Sequence, residues 1–344
     1  MMKFPTSVGS GLAFAGLLFV AAGAQAQGSG SATIDAIVKR GEVVCGVAGA
    51  TAGFSLPDSQ GVMRGIDADS CRAVASAILG DVKKIRFVPT TTTNRFTALQ
   101  SGEVDLLYRS TTWTLGREGN LGGMFASVNF YDGTGFLVKK SANVKSVKEL
   151  DGATICVQPG TSTELAIADY FRVNKLKFTP ILIQDLSEIQ NAYMSGRCDA
   201  YSTDASGLAA YAFQQGPKAT DHVLLPEIIS KEPLGAMVRK GDDKFFDVVR
   251  WTYFATLIAE EYGITQANID SFATNTVPEV RRLLGLEGDM GKALGVDNKW
   301  AYNVIKQNGN FGEIWDHNIT PMGVPRGINN LWNKGGLHYA PPMR

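Results

Sequence analysis

The polar run Ser110-Thr111-Thr112, followed after a short loop by Arg117, is the stretch whose residue types first suggest a binding chemistry. Hydroxyls and a guanidinium converging at a strand end make a carboxylate site, because arginine offers a planar two-point fork while hydroxyls and backbone amides fill the remaining lone pairs. Gly160-Thr161-Ser162-Thr163 stands between an expected strand and an expected helix. Unpaired amides and the positive end of a helix suit an anion there. Asp204, after another strand, can accept an ammonium group. Each feature also has a plainer reading: a solvated loop with a surface arginine, ordinary N-capping around Thr161, and capping by Asp204 of a helix that starts near Ala205. Together they offer an anion clamp and a cation acceptor, the charge pattern of a zwitterion.

Other chemistries fare poorly. The stretch Gly288-Asp289-Met290-Gly291-Lys292 hints at a phosphate loop, but Leu286 stands where the first glycine is required and Ala293 where the metal-binding hydroxyl belongs. There is no GxSxG nucleophile elbow. The three histidines, His222, His317 and His338, are too scattered for a histidine-rich metal site and lie in loop or tail contexts ill suited to a Ser-His-Asp triad. Glu118 and the adjacent Glu260-Glu261 read as solvent-facing carboxylates. With 33 basic against 33 acidic residues the chain lacks the footprint that nucleic-acid phosphates demand. No enzyme activity, cofactor or metal is expected.

The elements that must position the polar clusters read as α/β units. Lys3, an apolar stretch from Gly11 to Ala24 and the small-x-small pattern Ala24-Gln25-Ala26 have the layout of a secretory leader cleaved near Ala26. An oxidising compartment then makes four cysteines a disulfide set. Four cysteines permit three pairings, and one bridge per lobe, Cys45 with Cys71 and Cys156 with Cys198, is the economical choice. Glu42–Val47 reads as a buried strand, Asp67–Leu79 as a helix and Lys84–Val88 as a strand; Asn94 is expected to cap a short helix that Gly102 stops before the strand Val104–Leu107. The middle of the chain repeats the grammar, with strand Ala153–Gln158, helix Thr163–Asn174, strand Pro180–Ile183, helix Ser187–Ser195 and strand Cys198–Ser202. Such alternation predicts parallel sheets with right-handed crossovers in two lobes. Ser101-Gly102-Glu103-Val104-Asp105 recurs as Ser195-Gly196-Arg197-Cys198-Asp199, and the same offset carries Ser110 onto Asp204. Both polar clusters follow strand carboxyl ends, where open α/β sheets bind ligands. Gly135–Lys139 and Ala236–Arg239 look like two crossings between lobes. Residues after Gly241, with Phe245, Val248, Val249, Thr252 and Leu257 on one helix face, are expected to return to the first lobe, ending in an irregular tail from Gly327.

Several segments resemble the periplasmic solute-binding proteins of polar amino acid ABC transporters, in particular the longer general L-amino-acid-binding subfamily. They include Gly65-Ile66-Asp67-Ala68-Asp69-Ser70-Cys71-Arg72-Ala73, Arg95-Phe96-Thr97-Ala98-Leu99-Gln100-Ser101-Gly102, Tyr131-Asp132-Gly133, Gly160-Thr161-Ser162-Thr163-Glu164-Leu165, Lys231-Glu232-Pro233-Leu234-Gly235 and Tyr339-Ala340-Pro341-Pro342. The resemblance implies a type II periplasmic-binding fold: an α/β two-lobe clamp with two hinge crossings and a C-terminal extension on the first lobe. The division expected is a leader over 1–26, a first lobe over 27–136, a second over 137–238, and a return with the extension over 239–344. It also implies that Arg117 holds the carboxylate of an L-amino acid with Ser110 and Thr112 beside it, that Thr161 and Ser162 complete that shell, and that Asp204 holds the α-ammonium. Ser110 departs from the asparagine usual there, and Gly-Thr-Ser-Thr from the usual Gly-Thr-Thr-Thr. The loop Ala48–Gly53 lacks the aromatic on which basic-amino-acid binders stack a side chain, which argues for broad specificity. The implied protein is a periplasmic monomer that delivers its ligand to ABC permease subunits in the inner membrane. The rival classes are a periplasmic dehydratase-like enzyme on the same scaffold and a ligand-sensing partner of a membrane receptor.

Overall fold

The computed structural model describes residues 1–5 and 29–344; the expected leader's apolar stretch and its cleavage point lie outside the described residues. Among the described residues no helix is long and apolar enough to cross a membrane.

The chain begins with α1 (Ala32–Arg40), capped at its start by the Ser31 side chain and stopped by Gly41 in the left-handed conformation. It continues through β1 (Val43–Val47), the short hairpin β2 (Leu56–Pro57) and β3 (Met63–Arg64), α2 (Ile66–Leu79), β4 (Ile85–Pro89), α3 (Arg95–Ser101), β5 (Leu106–Leu107), α4 (Leu115–Asn120) and β6 (Gly123–Asp132). The second lobe holds β7 (Thr134–Lys139), β8 (Ala153–Val157), α5 (Ser162–Val173), β9 (Phe178–Leu182), α6 (Leu186–Met194), β10 (Ala200–Asp204), α7 (Ala205–Gln214) and β11 (His222–Leu224). The chain then returns through β12 (Glu232–Arg239), α8 (Asp243–Glu261) and four shorter helices, α9 (Pro278–Leu283), α10 (Met290–Leu294), α11 (Trp300–Asn308) and α12 (Phe311–Asn318).

Two five-stranded sheets result, ordered β4-β1-β5-β12-β6 and β11-β7-β10-β8-β9. In the first, β1 runs parallel to β4 and β5 while β12 is antiparallel to β5 and β6. In the second, β8 runs parallel to β9 and β10, and β7 is antiparallel to β10 and β11. All five residues of β1 are buried, as a strand covered on both faces requires. Apolar clusters on both faces of the second sheet, one around Phe136, Ile167 and Phe171 and one around Tyr193, Tyr201 and Leu208, show that it too is covered on both sides.

Sheet membership corrects the expected lobe boundaries. Residues 134–136, expected in the first lobe, begin β7 in the second sheet, and residues 232–238, expected in the second lobe, lie in β12 between β5 and β6. The crossings are therefore Gly133 and the short stretch before Glu232. They touch: a Cβ added at Gly133 would stand 2.1 Å from Ile228 Cγ2 and 2.7 Å from the Ser230 carbonyl, so only glycine lets the two strands pass this closely.

The disulfides join Cys45 in β1 to Cys71 in α2, and Cys156 in β8 to Cys198 just before β10, one in each lobe. The C-terminal helices share the first lobe's core, where Trp315 stacks on Phe130 at 5.2 Å and Trp300, Val304 and Ile305 are buried. The tail from Gly327 is irregular but tied down. The Asn329 amide accepts from Tyr131 N at 2.7 Å and donates to Tyr131 O at 2.9 Å, holding the tail against the end of β6. One local expectation fails: Asn94 does not cap α3, because its Oδ1 is taken by Thr91 N at 2.8 Å in the preceding turn.

Candidate functional site

A cavity of about 260 Å³ lies between the lobes, lined from the first by residues after β1, β4 and β5 and from the second by residues after β8 and at the end of β10. These are strand carboxyl ends, where unpaired backbone groups face a crevice. The lobes meet around it. Thr92 Oγ1 donates to Pro159 O at 2.9 Å, and Gln184 Nε2 donates to Thr93 Oγ1 at 2.6 Å.

All six residues singled out in the sequence line this cavity, but their side chains are not equally free. Arg117 is buried in α4 and donates from Nη1 to Thr112 O at 2.7 Å, with its guanidinium 5.5 Å from the centre of the Phe96 ring. Burial pulls its pKa down, and the carboxylates of Glu232 and Asp204 oppose that shift. Asp204 closes β10 and stands at the start of α7 without capping it. Among the described residues no protein donor reaches its carboxylate. Its pKa is driven well up, first by burial and then by the neighbouring carboxylates of Asp132 and Glu232, with Arg117 and Arg95 pulling the other way.

The hydroxyls are more committed than the sequence suggests. Ser110 adopts a left-handed backbone, φ 43°, and gives both its amide (2.8 Å) and its hydroxyl (3.2 Å) to Asp67 Oδ2. Asp67, also held by Asn129 Nδ2 at 3.0 Å, is thus the anchor of the Ser110 loop; burial raises its pKa. Thr161 caps α5, accepting from Glu164 N at 3.1 Å and donating to Gln158 O at 2.8 Å. What this segment presents to the cavity is the first turn of α5, whose amides have no intrahelical acceptor. Thr112 Oγ1 and Ser162 Oγ meet across the cleft at 3.0 Å, and Ser162 Oγ donates to Glu232 Oε2 at 2.7 Å.

Two further guanidiniums were missed as site groups. Arg95 is 2% exposed; among the described residues its Nε has no partner, its guanidinium donates only from Nη1 to Thr111 Oγ1 at 3.4 Å, and it lies 4.8 Å from the Phe96 ring centre. Its pKa is forced well down by burial and then by Arg109 and Arg117. Arg109 donates from Nε to Thr90 O at 3.3 Å, and its pKa falls to about 10 through burial, with Asp67 opposing and Arg117 adding to the fall. Neither they nor Arg117 have a carboxylate within ion-pair distance among the described residues. Sequence carried a signal: an arginine opening a helix opposes the helix dipole, and Arg109 stands two residues beyond the buried strand β5. The wall at Ala48–Thr51 is apolar and small, although Phe54 beside it also faces the cavity.

Of the carboxylates that line the cavity, Asp185 is used to cap α6, accepting from Glu188 N at 2.9 Å, which leaves Asp204. Among the described residues no cluster of three His, Cys, Asp or Glu side chains is arranged to hold a metal.

Residues 43–262 match the family described as bacterial extracellular solute-binding proteins, family 3. The chain is 52% identical over 330 residues to the glutamate/glutamine/aspartate/asparagine-binding protein BztA of Rhodobacter capsulatus, spanning 94% of this chain and 97% of the relative. It is 51% identical over 335 residues to the general L-amino acid-binding periplasmic protein AapJ of Rhizobium johnstonii, spanning 96% and 97%. Among solved structures, an ABC transporter periplasmic binding protein from Brucella ovis with glutathione bound superposes with a TM-score of 0.88 at 50% identity, over 91% of this chain and 99% of that one.

Proposed function

Because the chain belongs to the bacterial extracellular solute-binding proteins, family 3, we propose that its cleft closes on one free L-amino acid and delivers it to the permease subunits of an ABC importer. The observation that carries this reading is the pair of unmatched charges in the cavity. Among the described residues Arg117 has no carboxylate partner and Asp204 has no donor, and a buried charge is tolerated only where something pairs it. A zwitterion supplies both partners. Its α-carboxylate takes the free face of Arg117 and the first-turn amides of α5, next to Thr112 and Ser162, whose hydroxyls stay bonded to each other and to Glu232, and its α-ammonium takes Asp204. Ser110 supports this arrangement from behind through Asp67 and does not donate its hydroxyl to the ligand.

Arg95 and Arg109 add positive potential to the remaining space, which favours acidic and amide side chains over basic ones. The relative BztA is named for binding glutamate, glutamine, aspartate and asparagine, in agreement with that bias, and the small wall at Ala48–Thr51 imposes little further selection. The same reading makes the chain a periplasmic monomer after cleavage of its leader near Ala26. Catalysis is the weaker alternative. A dehydratase needs an acid beside the leaving group in addition to the group holding the ammonium, and Asp185 is spent as a cap. Incubating the protein with a mixture of L-amino acids and identifying by mass spectrometry what elutes after denaturation tests the reading. Unmodified amino acids are expected, and a converted product would identify an enzyme.

A further inference from the structure

At the edge of the cavity nearest the crossings, three side chains from separate parts of the chain form a relay. Ser162 Oγ stands 2.7 Å from Glu232 Oε2 and 3.0 Å from Thr112 Oγ1. A carboxylate oxygen only accepts and a serine hydroxyl has one proton, so Ser162 donates to Glu232, and Thr112 must then donate to Ser162. Both hydroxyl protons are committed to the relay. While it stands, neither can be given to a ligand carboxylate.

Glu232 is 2% exposed and does not line the cavity. It is the first residue of β12, paired in register with Asp132 at the end of β6. Its Oε1 accepts from Ser230 Oγ at 2.6 Å and Thr134 Oγ1 at 3.3 Å. Ser230 lies in one crossing and Thr134 opens β7 directly after the other, so both donors sit where the lobes pivot. Ser162 instead heads α5 in the second lobe, and Thr112 belongs to the first. Rotation about the crossings leaves the bonds to Oε1 in place and breaks those that run through Ser162.

We propose that Glu232 is a positioning residue that touches no ligand and latches the closed form, holding the second lobe to the first through Ser162 with Thr112 completing the link. The proposal rests on the amino-acid clamp reading for its ligand. Its consequence is kinetic: the latch forms whenever the lobes meet, with or without ligand, so it slows escape from the closed complex, while capture starts from open molecules and changes little. A charge-assisted hydrogen bond is about twice as strong as a neutral one, so its loss should be visible in the escape rate.

The test is stopped-flow tryptophan fluorescence with L-glutamate on the wild type, Glu232→Gln, Ser162→Ala and the double variant. Each single variant is expected to raise koff about tenfold, ~1.4 kcal/mol, with kon within about twofold of wild type. The double variant should be no faster than the faster single, since both remove one link. An unchanged koff in Glu232→Gln overturns the proposal, as do multiplying effects or an equal loss in kon. Spin labels at Leu115→Cys and Leu165→Cys, exposed positions three residues beyond Thr112 and Ser162, give a readout without ligand. Glu232→Gln should shift their distance distribution to longer values, and identical distributions overturn the latch even if the wild type takes up no L-glutamate, a result that would count against the clamp reading alone. Should Glu232→Gln not fold, Ser162→Ala and Thr112→Val with their double variant address the same relay.

Discussion

Asp204→Asn keeps the shape of the side chain and removes its charge, so binding and stability are expected to move in opposite directions. Asp204 is the acceptor assigned to the α-ammonium, so its loss leaves that ammonium buried without a counter-charge. Breaking a buried pair from one side costs about 3 to 5 kcal/mol, two to nearly four decades in Kd. The fold gains by the same change. Burial and the carboxylates of Asp132 and Glu232 raise the Asp204 pKa in the folded protein. A raised folded pKa means that its contribution to stability is complete below the unfolded value of 3.8 and lost as pH rises through the folded value. At pH 7.5 wild type carries that loss, while Asp204→Asn does not. Each ~1 kcal/mol of relief raises Tm by roughly 2 to 4 °C. Titration calorimetry with L-glutamate and thermal melts at pH 7.5 and pH 4 read both halves, and the stability advantage should shrink at the lower pH. A variant that binds within about threefold of wild type, or melts below it at pH 7.5, refutes the assignment.

Arg117→Ala should cost a similar two to three decades in Kd, read by the same calorimetry. Non-reducing peptide mapping should recover Cys45 with Cys71 and Cys156 with Cys198; reducing them opens loops spanning 26 and 42 residues and should cost roughly 3 to 4 kcal/mol each. His338 is buried against Tyr253 and its pKa is pushed down to about 3, first by burial and then by Arg326. Its folded value lies below the unfolded 6.5, so its contribution is complete above 6.5 and is lost as pH falls toward 3, on the order of 5 kcal/mol. Denaturant unfolding across that range should show a shallower acid slope in His338→Asn.

Much of the architecture was legible because it is written in local patterns. The buried run Val43–Val47 and the spacing of Cys71, Val74 and Ala75 need no partner to be read as strand and helix. Arg117 and Asp204 were legible because each is a lone charge shortly beyond an apolar strand pattern, where the chain leaves the carboxyl end of a sheet. The hydroxyls were not. Whether Ser110 faces a ligand depends on Asp67, which is distant in sequence and reaches it only through the packing of α2. Thr161 could cap or bind, and a competition between a local amide and a ligand leaves no mark in composition. Glu232 was unreadable as a link between lobes because its role follows from β12 joining the first sheet, a pairing set by tertiary register and not by residue type.

On the proposed reading the cleft recognises the groups all L-amino acids share and discriminates weakly among side chains. A calorimetric panel of acidic, amide, aliphatic and basic L-amino acids, with glutamate α-amide added, probes both properties at once. Micromolar or tighter binding of several chemically different L-amino acids is expected, the acidic and amide ones strongest and the basic ones weakest, within a few decades because a loose apolar wall discriminates by only about 1 to 3 kcal/mol. No binding is expected once the α-carboxylate is amidated. A single amino acid bound a thousandfold better than every other, or an α-amide bound as well as its parent acid, would contradict it.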